Sequence, residues 1–277
     1  MFKIAKDNRN IFQICINLND NVDSLKESRR KLLDLNPDYD FHYITSQEEF
    51  EEFMQTHFKN SEDAFEQKIY EVFSCIPNKL RFKAEGNFDE DIERCKKARD
   101  VRVLVSRTDV FRYAALYKFG GFYLDLSSKA EIDINQELEK YDCVFLRSVV
   151  EVHSSICYAK KHSYIIKNIL ENITSRCLSK SSIHQMSDVG PGVVTNTVVN
   201  IVDDVPFKEF KKYEQPAIVD KLAKINEFSL KKHNSVVFLG RTVPHKFKIQ
   251  ADWKHLLHTP DPARPDLIPN RHWLGWF

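Results

Sequence analysis

The sequence predicts one α/β domain, and three observations carry that expectation. Short apolar runs of strand length alternate with helix-length segments from residue 11 to residue 239, the pattern of strands joined by helical crossovers. The chain has 277 residues, 42% of them apolar and 29% charged, enough to enclose one sizeable core. Residues 107–128 (RTDVFRYAALYKFGGFYLDLSS) then compress an amphipathic helix, a glycine pair, a strand and an acid into one stretch. Ligands of open α/β sheets sit just outside the carboxyl ends of strands, where that acid falls.

Taken in order, residues 11–16 read as a first strand and 23–35 as a helix ended by Asn36-Pro37. Residues 41–44 read as a second strand. Ser46 caps a helix through about residue 57, with Glu48 and Glu49 favourable in its first turn. A further helix is expected over 62–74. Residues 77–100 are charged and less regular, with a helix over 89–98. Ser106 or Thr108 can cap the helix that follows, and Gly120 and Gly121 stop it, because glycine tolerates the left-handed conformation at a helix end. Residues 122–124 are a buried strand that delivers Asp125. Strands at 143–146 and 236–239 and helices at 164–178 and 191–202 complete the pattern. Four prolines between residues 260 and 269 make a rigid, extended approach to His272.

Asp109 and Arg112 lie three apart, so they share one helical face and can pair or share a ligand. Each residue of this stretch also has a plain structural reading: the pair as a surface salt bridge, the glycines as a cap, Asp125 as a turn residue. Their order within some twenty residues is what builds a single pocket.

The same stretch resembles the DxD-containing glycosyltransferases of family 32 and, more distantly, the large clostridial glucosylating toxins. Asp109, Arg112, Tyr113, Leu116, Tyr117, Phe119, Gly120, Gly121, Tyr123 and Asp125 match that family's pattern. The segments N-I-F-Q-I at residue 10, N-P-D-Y-D-F at 36, V-G-P-G at 189 and H-W-L-G-W at 272 resemble its opening strand, second-strand approach, T-G-P element and terminal motif. The resemblance implies a GT-A fold: a Rossmann-like nucleotide-binding half with a mixed central sheet, about residues 1–130, and a helical acceptor half with a C-terminal lid, about 131–277. It implies a retaining hexosyltransferase that takes a nucleotide-sugar, UDP-sugar ahead of GDP-sugar, to a glycan or lipid-linked glycan in surface polysaccharide synthesis. A toxin-like enzyme that modifies protein and a degenerate relative that only binds are the alternatives.

Roles follow by resemblance. Asp125 coordinates Mn²⁺ or Mg²⁺, with Ser127 and His272 as further metal ligands. Asp109 and Arg112 hold the donor sugar, and Tyr113, Gly121, Tyr123 and Leu124 line the donor site. Trp276 covers the donor, and Cys15 stands where relatives carry a tryptophan near the base. Asp188 is, with Asp125, a candidate catalytic carboxylate, lying near the sugar, with capping of the following helix as its structural alternative. Ser127 replaces the second acid of the motif. That leaves three outcomes open: a metal held through Asp125, the diphosphate and His272, a weaker metal site, or loss of catalysis.

With 41 basic and 40 acidic side chains the net charge is +1, which is no footprint for nucleic acid. The six cysteines are spread without a C-x-x-C, so reduced thiols are expected and a zinc site is not. No run reaches the length of a signal or membrane span. The expectation is a cytoplasmic protein, with peripheral association at the inner membrane face as the alternative placement.

Overall fold

The computed structural model describes residues 4–5, 8–16, 23–81, 92–125, 128–130, 138–147, 152–203, 234–239 and 249–251. Ser127, the proline-rich segment, His272 and Trp276 lie outside them.

The chain is α/β. Strands β1 (Asn10–Ile14), β2 (Asp40–Ile44), β3 (Gly121–Leu124), β5 (Cys143–Arg147), β6 (Val152–Ala159) and β7 (Ser235–Leu239) form one sheet in the order β2-β1-β3-β6-β5-β7. Strand β4 (Ser128–Ala130) pairs separately with β8 (Ile249–Ala251). The sheet is mixed: β1 runs parallel to β2 and β3, whereas β6 runs antiparallel to both β3 and β5. The helices are α1 (Asp23–Leu35), α2 (Gln47–Met54), α3 (Ala64–Lys79), α4 (Ile92–Phe119), α5 (Tyr164–Ser179) and α6 (Pro191–Asp203), with π-helical turns at Gln55–Lys59 and Gln185–Val189.

Strand alternation divides the apolar residues between the two faces of this sheet. Phe12, Tyr123, Phe145 and Cys157 join the larger core with residues of α2 to α6. Ile11, Phe122, Leu124, Val144, Ile156 and Tyr158 join a smaller core that includes Leu32 of α1.

Local chemistry explains most boundaries. The Ser46 hydroxyl accepts from the Glu49 amide, and the Glu49 carboxylate accepts from the Thr45 amide and hydroxyl, a reciprocal cap. Two expectations need correction. Helix α3 does not stop before residue 77 but continues through Pro77. Proline cannot donate to the carbonyl four residues back. That carbonyl, Phe73 O, instead accepts from Arg107 Nε at 3.2 Å, with the guanidinium also 4.5 Å above the Phe73 ring. Arg99 Nη2 donates to Pro77 O at 2.8 Å. The second correction concerns residues 92–119, which form one 28-residue helix rather than two. No glycine or proline interrupts them, so Ser106 and Thr108 are interior positions and not caps.

Asn10 ties the N-terminal segment, β2 and the end of α4 together. Its Oδ1 accepts from the Ala5 amide at 3.0 Å and from His42 Nε2 at 2.9 Å, and its Nδ2 donates to Ala5 O and Phe119 O. Burial holds the His42 imidazole neutral, down to about 4, against a raising influence from Asp40. The unfolded chain protonates His42 below about 6.5, whereas the fold keeps it neutral until about 4. Its stabilisation is therefore complete above the unfolded value and is lost as pH falls through this window. The loss expected from this residue alone is roughly 3 kcal/mol. Urea unfolding at pH 7, 5.5 and 4 checks this, and His42→Gln, which stays neutral, should flatten the dependence. An unchanged slope in that variant would remove His42 as the cause.

Candidate functional site

The sheet reverses its winding at β1. The crossover through α1 carries the chain to β2 on one side, and the crossover through α2, α3 and α4 returns it to β3 on the other. The crevice at the carboxyl ends of β1 and β3 is thus the topological switch point, where open α/β sheets bind ligands. Asp125 follows β3 there, its amide extending the ladder to Ser155 O at 2.8 Å. Cys15 follows β1 at the same edge, its amide donating to Ile44 O at 2.8 Å and its side chain buried.

Tyr123 and Asp125 are two residues apart and project on the face covered by α4. Across from them α4 supplies Asp109 and Arg112, one turn apart. Arg112 Nη2 lies 3.1 Å from Asp109 Oδ1 and 3.5 Å from Asp125 Oδ1. The Tyr123 hydroxyl donates to Asp125 Oδ1 at 2.8 Å, and the Tyr123 ring lies 4.7 Å beneath the guanidinium. The pair predicted from helical spacing is therefore no surface salt bridge: Arg112 and Asp109 are buried, and only Asp125 opens outward, with 28% of its side chain exposed.

Burial sets the electrostatics here. Desolvation raises the Asp125 carboxyl above the usual carboxylate range although Arg112 and the Tyr123 hydroxyl both pull it down. Burial also raises the Tyr123 phenol, and Asp125 adds to the effect. For Arg112, burial disfavours the charge, but Asp125, Tyr123 and Asp109 outweigh it and keep the guanidinium charged. Even so, among the described residues Arg112 Nε and Nη1 are buried without a hydrogen-bond partner. Buried donors left unpaired are costly, and they mark a place where acceptor oxygens of a ligand would be stabilised.

The other predicted residues separate into near and far. Tyr113 is packed in the larger core, one residue beyond Arg112. Leu124 points into the smaller core on the opposite face, so only its backbone borders the crevice. Gly121 lies at the other end of β3, about 13 Å from Asp125 at strand rise. It meets the Asn10 backbone, not the Asp125 cluster. Asp188 is buried in the π-helical turn before α6. Its carboxylate takes the Lys180 ammonium at 2.7 Å and the His184 amide at 2.8 Å. Sequence reasoning missed Gly190 as a neighbour of Asp109: a methyl group at Gly190 would fall 3.3 Å from Asp109 Oδ2. The V-G-P-G motif was the available signal.

Among the described residues no three His, Cys, Asp or Glu side chains converge into a metal cage. Among the described residues both polar contacts of the Asp125 carboxylate use Oδ1, so Oδ2 keeps its capacity to accept a cation. Among the described residues no helix is long and apolar enough to cross a membrane.

Residues 23–144 match the family described as a glycosyltransferase sugar-binding region containing the DXD motif, a span that holds Asp109, Arg112, Tyr123 and Asp125. Among solved structures, the chain is similar to one titled PaToxG Glycosyltransferase, at 13% identity and a TM-score of 0.45, over 79% of this chain and 86% of that one. It is also similar to the ligand-free glycosyltransferase domain of the YGT toxin, at 10% identity and a TM-score of 0.33, over 79% and 68%. No curated protein matches the chain.

Proposed function

We propose that this chain, a glycosyltransferase whose DXD-type sugar-binding region spans residues 23–144, is a retaining hexosyltransferase. In this reading it moves a hexose from a UDP-sugar to a glycan acceptor of surface polysaccharide synthesis, and its 277 residues form one domain with the donor half first. The observation that carries the reading is the buried Arg112 guanidinium, held by two carboxylates, with two N–H groups that no described residue accepts.

Each side chain then has a task. Arg112 and Asp109 bind the donor sugar's hydroxyls, because a fixed planar cation and a carboxylate supply donors and acceptors in complementary directions. Tyr123 fixes the Asp125 carboxylate through its hydroxyl and spends none of the second oxygen. Asp125 Oδ2 would hold Mn²⁺ or Mg²⁺, and Ser127 and His272 are the candidates to complete the shell. When bound, such an ion supplies Lewis-acid stabilisation of negative charge on the leaving diphosphate. Cys15 lies at the carboxyl end of β1, the position suited to the nucleotide base, and Trp276 closes over the donor and excludes water.

A thermal-shift series with nucleotide sugars, with and without Mn²⁺, tests this. A UDP-sugar with Mn²⁺ should raise the midpoint, and Arg112→Lys should abolish the rise while keeping the charge, since an ammonium cannot replace the fork of N–H groups. If no nucleotide sugar shifts the wild-type chain under any metal condition, the reading fails.

A further inference from the structure

Asp188 stands outside the Arg112 cluster, buried, and charged partners surround it. We propose that it is a positioning residue: it fixes the Gly190 backbone beside Asp109, at the distance that leaves the carboxylate its room, and thereby sets the sugar-binding carboxylate. The inference rests on the role given above to Asp109.

Both carboxylate oxygens of Asp188 are engaged. Oδ1 lies 2.7 Å from Lys180 Nζ and 3.6 Å from Arg176 Nη1, and Oδ2 accepts from the His184 amide at 2.8 Å. Arg176 Nη1 also donates to Ser187 O at 3.1 Å, so one guanidinium grips both the side chain and the backbone of the turn. Arg176 lies in the last turn of α5 and Lys180 is its C-cap, so both cations belong to a helix that packs in the main core. An acid that attacks an anomeric carbon must present an open lone pair, whereas only 4% of this side chain is exposed. Breaking such a buried pair leaves an uncompensated charge, so the arrangement is stiff.

That stiffness reaches Asp109 through Gly190. The turn closes with the Asp188 amide donating to His184 O at 2.9 Å and the Gly190 amide donating to Gln185 O at 2.8 Å. A Cβ at Gly190 would stand 3.0 Å from Gln185 O and 3.3 Å from Asp109 Oδ2. Asp109 therefore has one wall in contact, Arg112 at 3.1 Å on its Oδ1 side, and a second, the Gly190 backbone, set back on its Oδ2 side by the width of the missing Cβ. If the turn moves, the second wall moves with it, and the carboxylate loses its aim at a hydroxyl.

The test is UDP-sugar hydrolysis with Mn²⁺ by the full chain, together with amide hydrogen exchange of the unliganded protein. Asp188→Asn should raise the donor KM about tenfold with kcat within about threefold, the mark of a misplaced binding group. It should also speed exchange at the Asp188 and Gly190 amides. Gly190→Ala should raise KM in the same direction, and the double variant should be no worse than the poorer single one, because both act on one wall. A fall in kcat of about a thousandfold at unchanged KM would make Asp188 a reacting carboxylate and overturn the proposal. A lowered melting midpoint with KM unchanged would overturn it too, as support of the fold alone. If Asp188→Asn does not fold, Lys180→Met keeps the acid and removes one cation; an unchanged KM in that variant overturns the proposal. If the wild-type chain turns over no nucleotide sugar, the proposed function fails, and exchange still decides: unaltered protection at Gly190 in Asp188→Asn rejects the positioning role.

Discussion

Asp125→Asn should lower donor turnover by at least roughly 10³-fold and leave the unliganded protein about as stable as the wild type. The two halves of that result have separate causes. In the proposed reading turnover depends on an anionic oxygen at the end of β3, and an amide oxygen is a much weaker ligand for a hard cation. Stability depends on what the charge does in the empty fold, and there the partners pull in opposite directions. Burial raises the Asp125 carboxyl above its ordinary value. An acid whose folded value lies above its unfolded one stabilises the fold only at low pH, and that contribution is lost as pH rises through the folded value. At neutral pH the charge is thus a net burden on Asp125, and the amide relieves it. Arg112, in contrast, loses one of the carboxylates that keep it charged. It retains Asp109 at 3.1 Å, and Tyr123 can still donate to the amide oxygen at position 125, so the loss is partial. A change of less than about 3 °C in the melting midpoint is the expected balance. With UDP-sugar and Mn²⁺ at a hundred times the dissociation constant, the wild type should gain about 2.7 kcal/mol, whereas the variant gains almost nothing. A variant that unfolds as readily as it loses turnover would show that Asp125 is a structural residue.

Much of the site was legible because its members are close in sequence. Asp109 and Arg112 meet by helical spacing, Tyr123 and Asp125 by strand alternation, and the glycine pair turns one element onto the other, so local periodicity alone assembles the four. What stayed hidden depends on contacts between distant segments. Arg107 looked like the opening of the motif, but its guanidinium repairs the carbonyl that Pro77 frees and pairs with Glu51 at 2.5 Å. Without that partner a proline reads as a helix end, and so α3 was cut short. Strand β6 carries His153, Ser154 and Ser155 between β3 and β5, and so many polar residues mask a central strand whose pairing comes from elsewhere. Asp188 illustrates the same limit: its spacing before a Pro-Gly helix start suggested a cap, yet its partners sit on α5 and in its own turn.

Gly121→Ala should lower stability by about 4 kcal/mol, a fall of about 10 °C in the melting midpoint. Gly121 has φ +115°, a conformation that residues with a Cβ rarely adopt, and this strain alone costs about 2 kcal/mol. The remainder comes from overlap. The new methyl would stand 2.1 Å from Asn10 O and 2.9 Å from the Asn10 carbonyl carbon. Those atoms are backbone of β1, and the Asn10 side chain is already bonded to Ala5, His42 and Phe119. No flexible group can swing away, so β3 must retreat from β1 and weaken the pairing of Ile11 with Phe122 and of Phe12 with Tyr123. Gly120→Ala is the informative companion. Its φ of +68° is left-handed, and its nearest clash, at 2.1 Å, is the Asn8 side-chain oxygen, which can rotate, although the Lys161 amide at 2.6 Å cannot. It should therefore be destabilising but less so than Gly121→Ala. Because β3 carries Tyr123 and Asp125, the folded fraction of Gly121→Ala should also bind UDP-sugar with Mn²⁺ more weakly than that of Gly120→Ala. Equal melting midpoints for Gly121→Ala and wild type would show that β1 and β3 are not locked together at this residue, and the account of how the strand places its terminal acid would then fail.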